Sequence, residues 1–218
     1  MRIPSLAVPF VALVLFMALQ AASQPTAPQH RSLETSSLES HEGLTITARP
    51  WTDPSLYKEK FPKKSPYAAG ILAMQVVFRN DSNESMKIAL DRIRLSFHLD
   101  DDTRQEVQAL TAAQVADEIL KPGGQDPTKR TRVPLPVSIP HGSNDKHWQE
   151  LQQQAEMAGV PASVLAQHSS IQGLLYFDLQ GQFDLVSNAH LYVPDVVTME
   201  NNRSLTYFDI DLSRPAAK

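Results

Sequence analysis

Seven histidines, 24 acidic side chains and no cysteine are the raw material for chemistry in this 218-residue chain. A zinc hydrolase sets two His on one helical face with a Glu beside the first, so that the imidazoles hold the metal and the carboxylate activates its water. His147-Trp148-Gln149-Glu150 offers one imidazole and no adjacent Glu, and a solvent-facing His beside a core Trp is the ordinary use of such a stretch. The common serine hydrolase needs Ser in a strained Gly-x-Ser-x-Gly turn, so that backbone N–H groups can hold an oxyanion. No such stretch exists. His141-Gly142-Ser143 and His168-Ser169-Ser170 put His near Ser along the chain, but triads are assembled in space rather than in sequence.

Oxygen ligands are no better organised. Asp100-Asp101-Asp102, with Asp91, is the best local supply for calcium. It lacks the following Gly and the distal Glu of an EF-hand loop, and a solvated hairpin turn is its ordinary reading. Asp209 and Asp211 lie two residues apart on one strand face. Paired acids hydrolyse glycosides when roughly 5–10 Å apart, yet alternating acids on an exposed strand more often keep it soluble. Gly123-Gly124 and Gly181 are not followed by the Lys and Ser/Thr of a phosphate loop. No catalytic residue, metal ligand or cofactor is therefore assigned. The rival reading is a metal-dependent or serine hydrolase drawing on His141, His147 or His168.

One segment suits docking instead. Between Pro50 and Tyr67, the rings of Tyr57, Phe61 and Tyr67 are laced with Lys58, Lys60, Lys63 and Lys64. Exposed aromatics beside cations favour interfaces, so these three rings are the candidate partner-binding residues. Their commoner use is to pack over the end of a sheet.

Elements that position these residues are mostly strands. Leu44, Ile46 and Ala48 alternate with Thr45 and Thr47, and Ile71 to Phe78 is apolar at nearly every position, as a strand covered on both sides must be. Asn80-Asp81-Ser82-Asn83 then makes a turn. Met86 and Ile88 alternate on even numbers, whereas Ile93, Leu95 and Phe97 alternate on odd ones. A strand swaps faces at every residue, so this change of phase at Asp91-Arg92 demands a bulge or a crossing between sheets. Thr111 and Gln114 spell a capping box, with Val115 and Ile119 on one face and Pro122-Gly123 as the stop. Val133, Leu135, Val137 and Ile139 alternate among prolines, which confines them to an edge strand or extended loop. Trp148, Leu151 and Ala155 mark a second helix ending at Gly159, and Pro161 opens a third, short one. Strands return at 173–179, 189–193 and 205–212. Seven or eight strands without regular βα alternation predict a mainly β, antiparallel sandwich with a helical insertion at about 110–170.

Compartment follows from the N-terminus. Arg2, an apolar run from Leu6 to Leu19, and small residues at Ala21 and Ser23 make residues 1–23 a signal peptide, shorter than the ~20 apolar residues that span a bilayer. Its removal takes Arg2 with it, so the net charge of −4 becomes −5, with 19 basic against 24 acidic residues. A nucleic-acid partner needs a basic face, which this balance opposes; a membrane is reached only through an uncleaved signal segment. Residues 24–42, rich in Ser, Gln and Pro, read as a flexible linker, and 214–218 as a tail. The domain is expected over 43–213, exported to a bacterial periplasm or exterior, because secreted eukaryotic domains usually carry disulfides. In that setting the Asn-x-Ser sites at Asn80, Asn83 and Asn202 are polar turns.

The two-sided strand running into Arg79-Asn80-Asp81-Ser82, and the later Gly173-Leu174-Leu175-Tyr176-Phe177 followed by a polar hairpin and a closing amphipathic strand, resemble exported bacterial immunoglobulin-like β-sandwich modules of unassigned function. The resemblance spans about residues 43–213. It implies a non-enzymatic module that binds a protein or envelope partner, and it carries no catalytic residues to transfer.

Overall fold

The computed structural model describes residues 36–98, 103–121 and 145–213, all within one compact unit, Glu34–Lys218. The signal segment, most of the linker, the Asp100–Asp102 turn, the run from Val133 to Ile139, His141 and the tail lie outside the described residues.

The protein is mainly β, with three antiparallel sheets. The central sheet has the order β1 (Ser37–His41), β2 (Leu44–Pro50), β3 (Ile71–Asn80), β8 (Ser170–Asp178). A second four-stranded sheet runs β11 (Phe208–Asp211), β9 (Ala189–Val193), β5 (Arg94–His98), β6 (Arg104–Gln108). A small third sheet is β10 (Val196–Thr198), β4 (Met86–Ile88), β7 (Val164–Leu165). Among the described residues the strands number eleven rather than seven or eight, because β7 and β10 are too short to show a period and β1 and β6 are mostly polar.

β3 is buried along its even-numbered face and, over Ile71 and Ala73, on the odd-numbered face too; beyond them Gln75 and Val77 are half-buried and Arg79 is exposed. Its even-numbered Leu72, Met74, Val76 and Phe78 join Leu95, Phe97, Leu191, Phe208 and Ile210 of the second four-stranded sheet in one core. Ile71 and Ala73 point the other way, into a second core with Trp51, Tyr57, Phe61, Val115, Ala155, Leu174 and Tyr176. Each fully buried Leu, Val or Phe contributes roughly 1.5–3 kcal/mol, so the central sheet is held from both sides. The helical layer of the second core comprises α1 (Ala112–Leu120) and α2 (Lys146–Ala158). Thr111 and Gln114 form the expected capping box, and α2 ends on Gly159. The phase change is a crossing: β4 lies in the small sheet, Leu90–Arg92 turns the chain, and β5 enters the larger one.

Two expectations are corrected. Pro161 opens no helix; the chain runs from Gly159 directly to the two-residue strand β7, because Ile88 N–H bonds the Ser163 carbonyl at 2.8 Å and draws the backbone into the ladder. The linker ends earlier than residue 42, since Ser37–His41 pairs residue for residue with β2. Glu42 and Gly43, at φ 49° and 82°, make the tight turn between them. In β1 Ser37, Glu39 and His41 face inward and Ser37 is buried, while Ser40 and the 51% exposed Leu38 face outward. Glu39 and Glu42 use that orientation to accept backbone N–H groups of Asp209 (2.5 Å) and Thr206 (2.7 Å), and His41 stacks on Phe208 at 3.8 Å.

Candidate functional site

The three rings expected to dock a partner pack inside instead. Tyr57 is wholly buried and Phe61 is 2% exposed, so neither is offered to a partner. The reason is a hydrogen bond that needs burial: the Tyr57 hydroxyl accepts from Ala73 N–H at 2.8 Å and donates to the Trp51 carbonyl at 2.9 Å. It thus bridges the strands where β2 has ended. Burial pushes the Tyr57 hydroxyl pKa up, against the smaller opposing pull of the Ala73 N–H. Phe61 meets Tyr176 edge-on at 6.2 Å, and the half-buried Tyr67 stacks on Phe183 at 4.3 Å. These rings roof the end of the central sheet.

Of the histidines of the rival reading, the two described, His147 and His168, lie in different surroundings. His147 lines a small cavity with Lys63, Lys64, Glu150, Leu151 and Gln154. Lys63 bonds Glu150 at 2.9 Å and holds that carboxyl below the usual range. His168, in the turn before β8, meets Asn83 Oδ1 at 2.9 Å. Among the described residues no three His, Asp or Glu side chains could hold a metal ion.

The second four-stranded sheet shows an arrangement invisible in the sequence. Its inner residues fill the core, so Arg94, Ser96, Glu106, His190, Tyr192, Asp209 and Asp211 share its outer face. Register brings them together: Tyr192 stands between Arg94 and Asp209, and His190 between Ser96 and Asp211. The Arg94 guanidinium lies 5.6 Å from the Tyr192 ring centre and bonds Glu106 at 2.7 Å. Tyr207, 53% exposed, leans on Tyr192 with ring centres 5.3 Å apart. Each contact restrains a side chain, and Tyr and Arg are the residues that interfaces favour.

Ser96, His190 and Asp209 superficially suggest a nucleophile, a base and its orienting acid, with His190 Nδ1 3.1 Å from Asp209. Ser96 and His190 are cross-strand neighbours. Ser96, however, is 2% exposed. The backbone N–H groups around it lie in the plane of the sheet, bonded along the ladder, so they make no oxyanion hole.

Fold and face together define a mainly β, antiparallel protein with one sheet face turned outward. No family model matches the chain, and no curated protein matches it. The chain is similar to a functionally unknown protein from Listeria monocytogenes EGD-e known from its crystal structure, with 13% identity, 82% of each chain covered and a TM-score of 0.36.

Proposed function

We propose that this protein is an exported, non-enzymatic binding module of immunoglobulin-like build, and that it holds a protein or envelope partner on the outer face of the β11–β9–β5–β6 sheet. Export rests on the signal features of residues 1–23. The observation that carries the binding role is the Arg94–Tyr192–Tyr207 stack on a sheet face that nothing covers among the described residues. The central sheet, by contrast, has one face wholly in the core and the other covered at the Ile71–Ala73 end by the second core. Aromatic and Arg anchors dominate interface energetics, typically at 2 kcal/mol or more each.

The test is capture of a partner from envelope extract, compared between the native protein and the double variant Arg94→Ala, Tyr207→Ala. Both residues are exposed enough for the fold to survive. Loss of a specific captured species in the variant is the expected result; equal capture by both proteins refutes this face. Ester hydrolysis that vanishes in Ser96→Ala would instead establish the enzyme reading.

A further inference from the structure

The outer face of the β11–β9–β5–β6 sheet is polar in a regular way. Register lays its side chains in two rows that cross all four strands. One row is Asp209, Tyr192, Arg94 and Gln108; the next is Asp211, His190, Ser96 and Glu106. Strands lie about 4.8 Å apart, so each row runs about 14 Å, and the two rows are about 7 Å apart along the strands. None of these side chains is aliphatic. The core of a protein–protein interface is depleted of charge and rich in apolar groups. These rows are the reverse: hydrogen-bonding groups around one tyrosine, with Tyr207 leaning on it at 5.3 Å.

The charges on this face answer one another. Arg94 bonds one oxygen of Glu106 at 2.7 Å, Arg104 lies 3.3 Å from the other, and His190 meets Asp209 at 3.1 Å. Arg94 and Arg104 stand against Glu106, Asp209 and Asp211, which leaves one negative charge with His190 neutral and none with it protonated. Neither a polyanion nor a polycation finds a complementary field there. The two rings, in contrast, have capacity to spare. Tyr207 is 53% exposed, and the hydroxyls of Tyr192 and Tyr207 make no hydrogen bond among the described residues.

On the strength of the sheet-face reading, we infer that this face binds an extended, uncharged glycan. A pyranose ring carries C–H groups on its faces and hydroxyls around its rim, so it can lie on the Tyr207 and Tyr192 rings while Arg94, Asp209 and His190 bond its hydroxyls. The ion pairs already made restrain those three side chains, and ionised groups make the stronger hydrogen bonds. A row is long enough for about two or three sugars. A β-1,4-linked chain runs extended and can follow it, whereas an α-1,4-linked chain coils away from the sheet.

Cellotetraose is the probe, with tetragalacturonate and the glucosamine tetramer as its anionic and cationic counterparts and maltotetraose as the coiled one. Each is titrated into the ¹⁵N-labelled protein up to about 10 mM, a range that resolves millimolar affinity. Saturable shifts at Arg94, Tyr192, Tyr207 and Asp209 are expected with cellotetraose, and binding at least about tenfold weaker with the other three. Tyr207→Ala should weaken cellotetraose about tenfold or more, the usual size for an aromatic anchor, at an unchanged melting temperature. Tyr207→Phe keeps the ring and should stay within about threefold. No saturable shift with cellotetraose, equal binding of either charged tetramer, or shifts unmoved by Tyr207→Ala overturns the glycan. If cellotetraose fails while the Arg94→Ala, Tyr207→Ala variant still loses a captured species, the face binds a partner and only the glycan is refuted; if both tests fail, the face itself is refuted.

Discussion

Replacing Tyr57 by Phe tests the hydroxyl that joins the segment following β2 to β3 of the central sheet. The substitution keeps the ring and its edge-on contacts with Trp51 and Tyr67, both at 5.5 Å. What disappears is one oxygen that accepts from Ala73 N–H and donates to the Trp51 carbonyl. Both backbone groups sit against buried side chains, and a buried N–H left without an acceptor costs ~1–3 kcal/mol. With the carbonyl also losing its donor, the expected loss is ~2–3 kcal/mol. For a domain of this size each kcal/mol lowers Tm by ~2–4 °C, so Tyr57→Phe should melt ~4–12 °C lower. Urea unfolding followed by circular dichroism should show a lower midpoint at unchanged slope. Tyr67→Phe, whose hydroxyl makes no hydrogen bond among the described residues, is the control and should stay within ~0.5 kcal/mol. A Tyr57→Phe loss below ~0.5 kcal/mol would refute the bridging role. The same hydroxyl sets an alkaline limit. Its folded-state pKa is raised by burial, so its contribution is whole below the unfolded value near ~10 and fades as pH rises beyond it. Tyr176, raised by burial in the same core, adds to that decline. The slope should be shallower in Tyr57→Phe.

The remaining predictions concern the backbone and the acid limb. A Cβ on Gly173 would lie 2.4 Å from the Gly159 carbonyl oxygen and 2.5 Å from Val160 Cα, so Gly173→Ala must push the end of α2 off β8. An overpacking loss of ~1–3 kcal/mol is expected in urea titrations. At the opposite pH extreme, the Thr206 N–H and Arg203 hold the Glu42 carboxyl below its ordinary range, and the Ser85 N–H does so for Glu200. Lowered folded-state pKa values give stability that is present above ~4.5 and lost as pH falls through them. Melting temperature should therefore drop below about pH 4.5, and Glu42→Gln should flatten the drop.

How much of this was readable in advance depended on whether one strand or several had to be known. The apolar run of β3, covered on both sides at its Ile71–Ala73 end, and the phase change at Asp91-Arg92 are carried by neighbouring residues. The capping box needs only four residues, and it too is present. The outer-face cluster draws Arg94, Tyr192, Tyr207 and Asp209 from around three strands nearly 120 positions apart, and only the pairing register brings them together. β1 was hidden because its apolar residue, Leu38, points outward while Ser37, Glu39 and His41 face inward. Tyr57 and Phe61 misled because a segment without a period gives no sign of which side of a ring faces the core.

The carboxylates of Glu39 and Glu42 have a consequence for how the protein behaves in a crowd. They occupy backbone donors at Asp209 and Thr206 that would otherwise recruit a strand from a neighbouring molecule. Removing the chain through Glu42 would uncover those donors together with the flank of β2. A protein trimmed there should polymerise at concentrations where the intact one remains dispersed, so proteolysis at this corner would convert a solitary molecule into a seed for fibres.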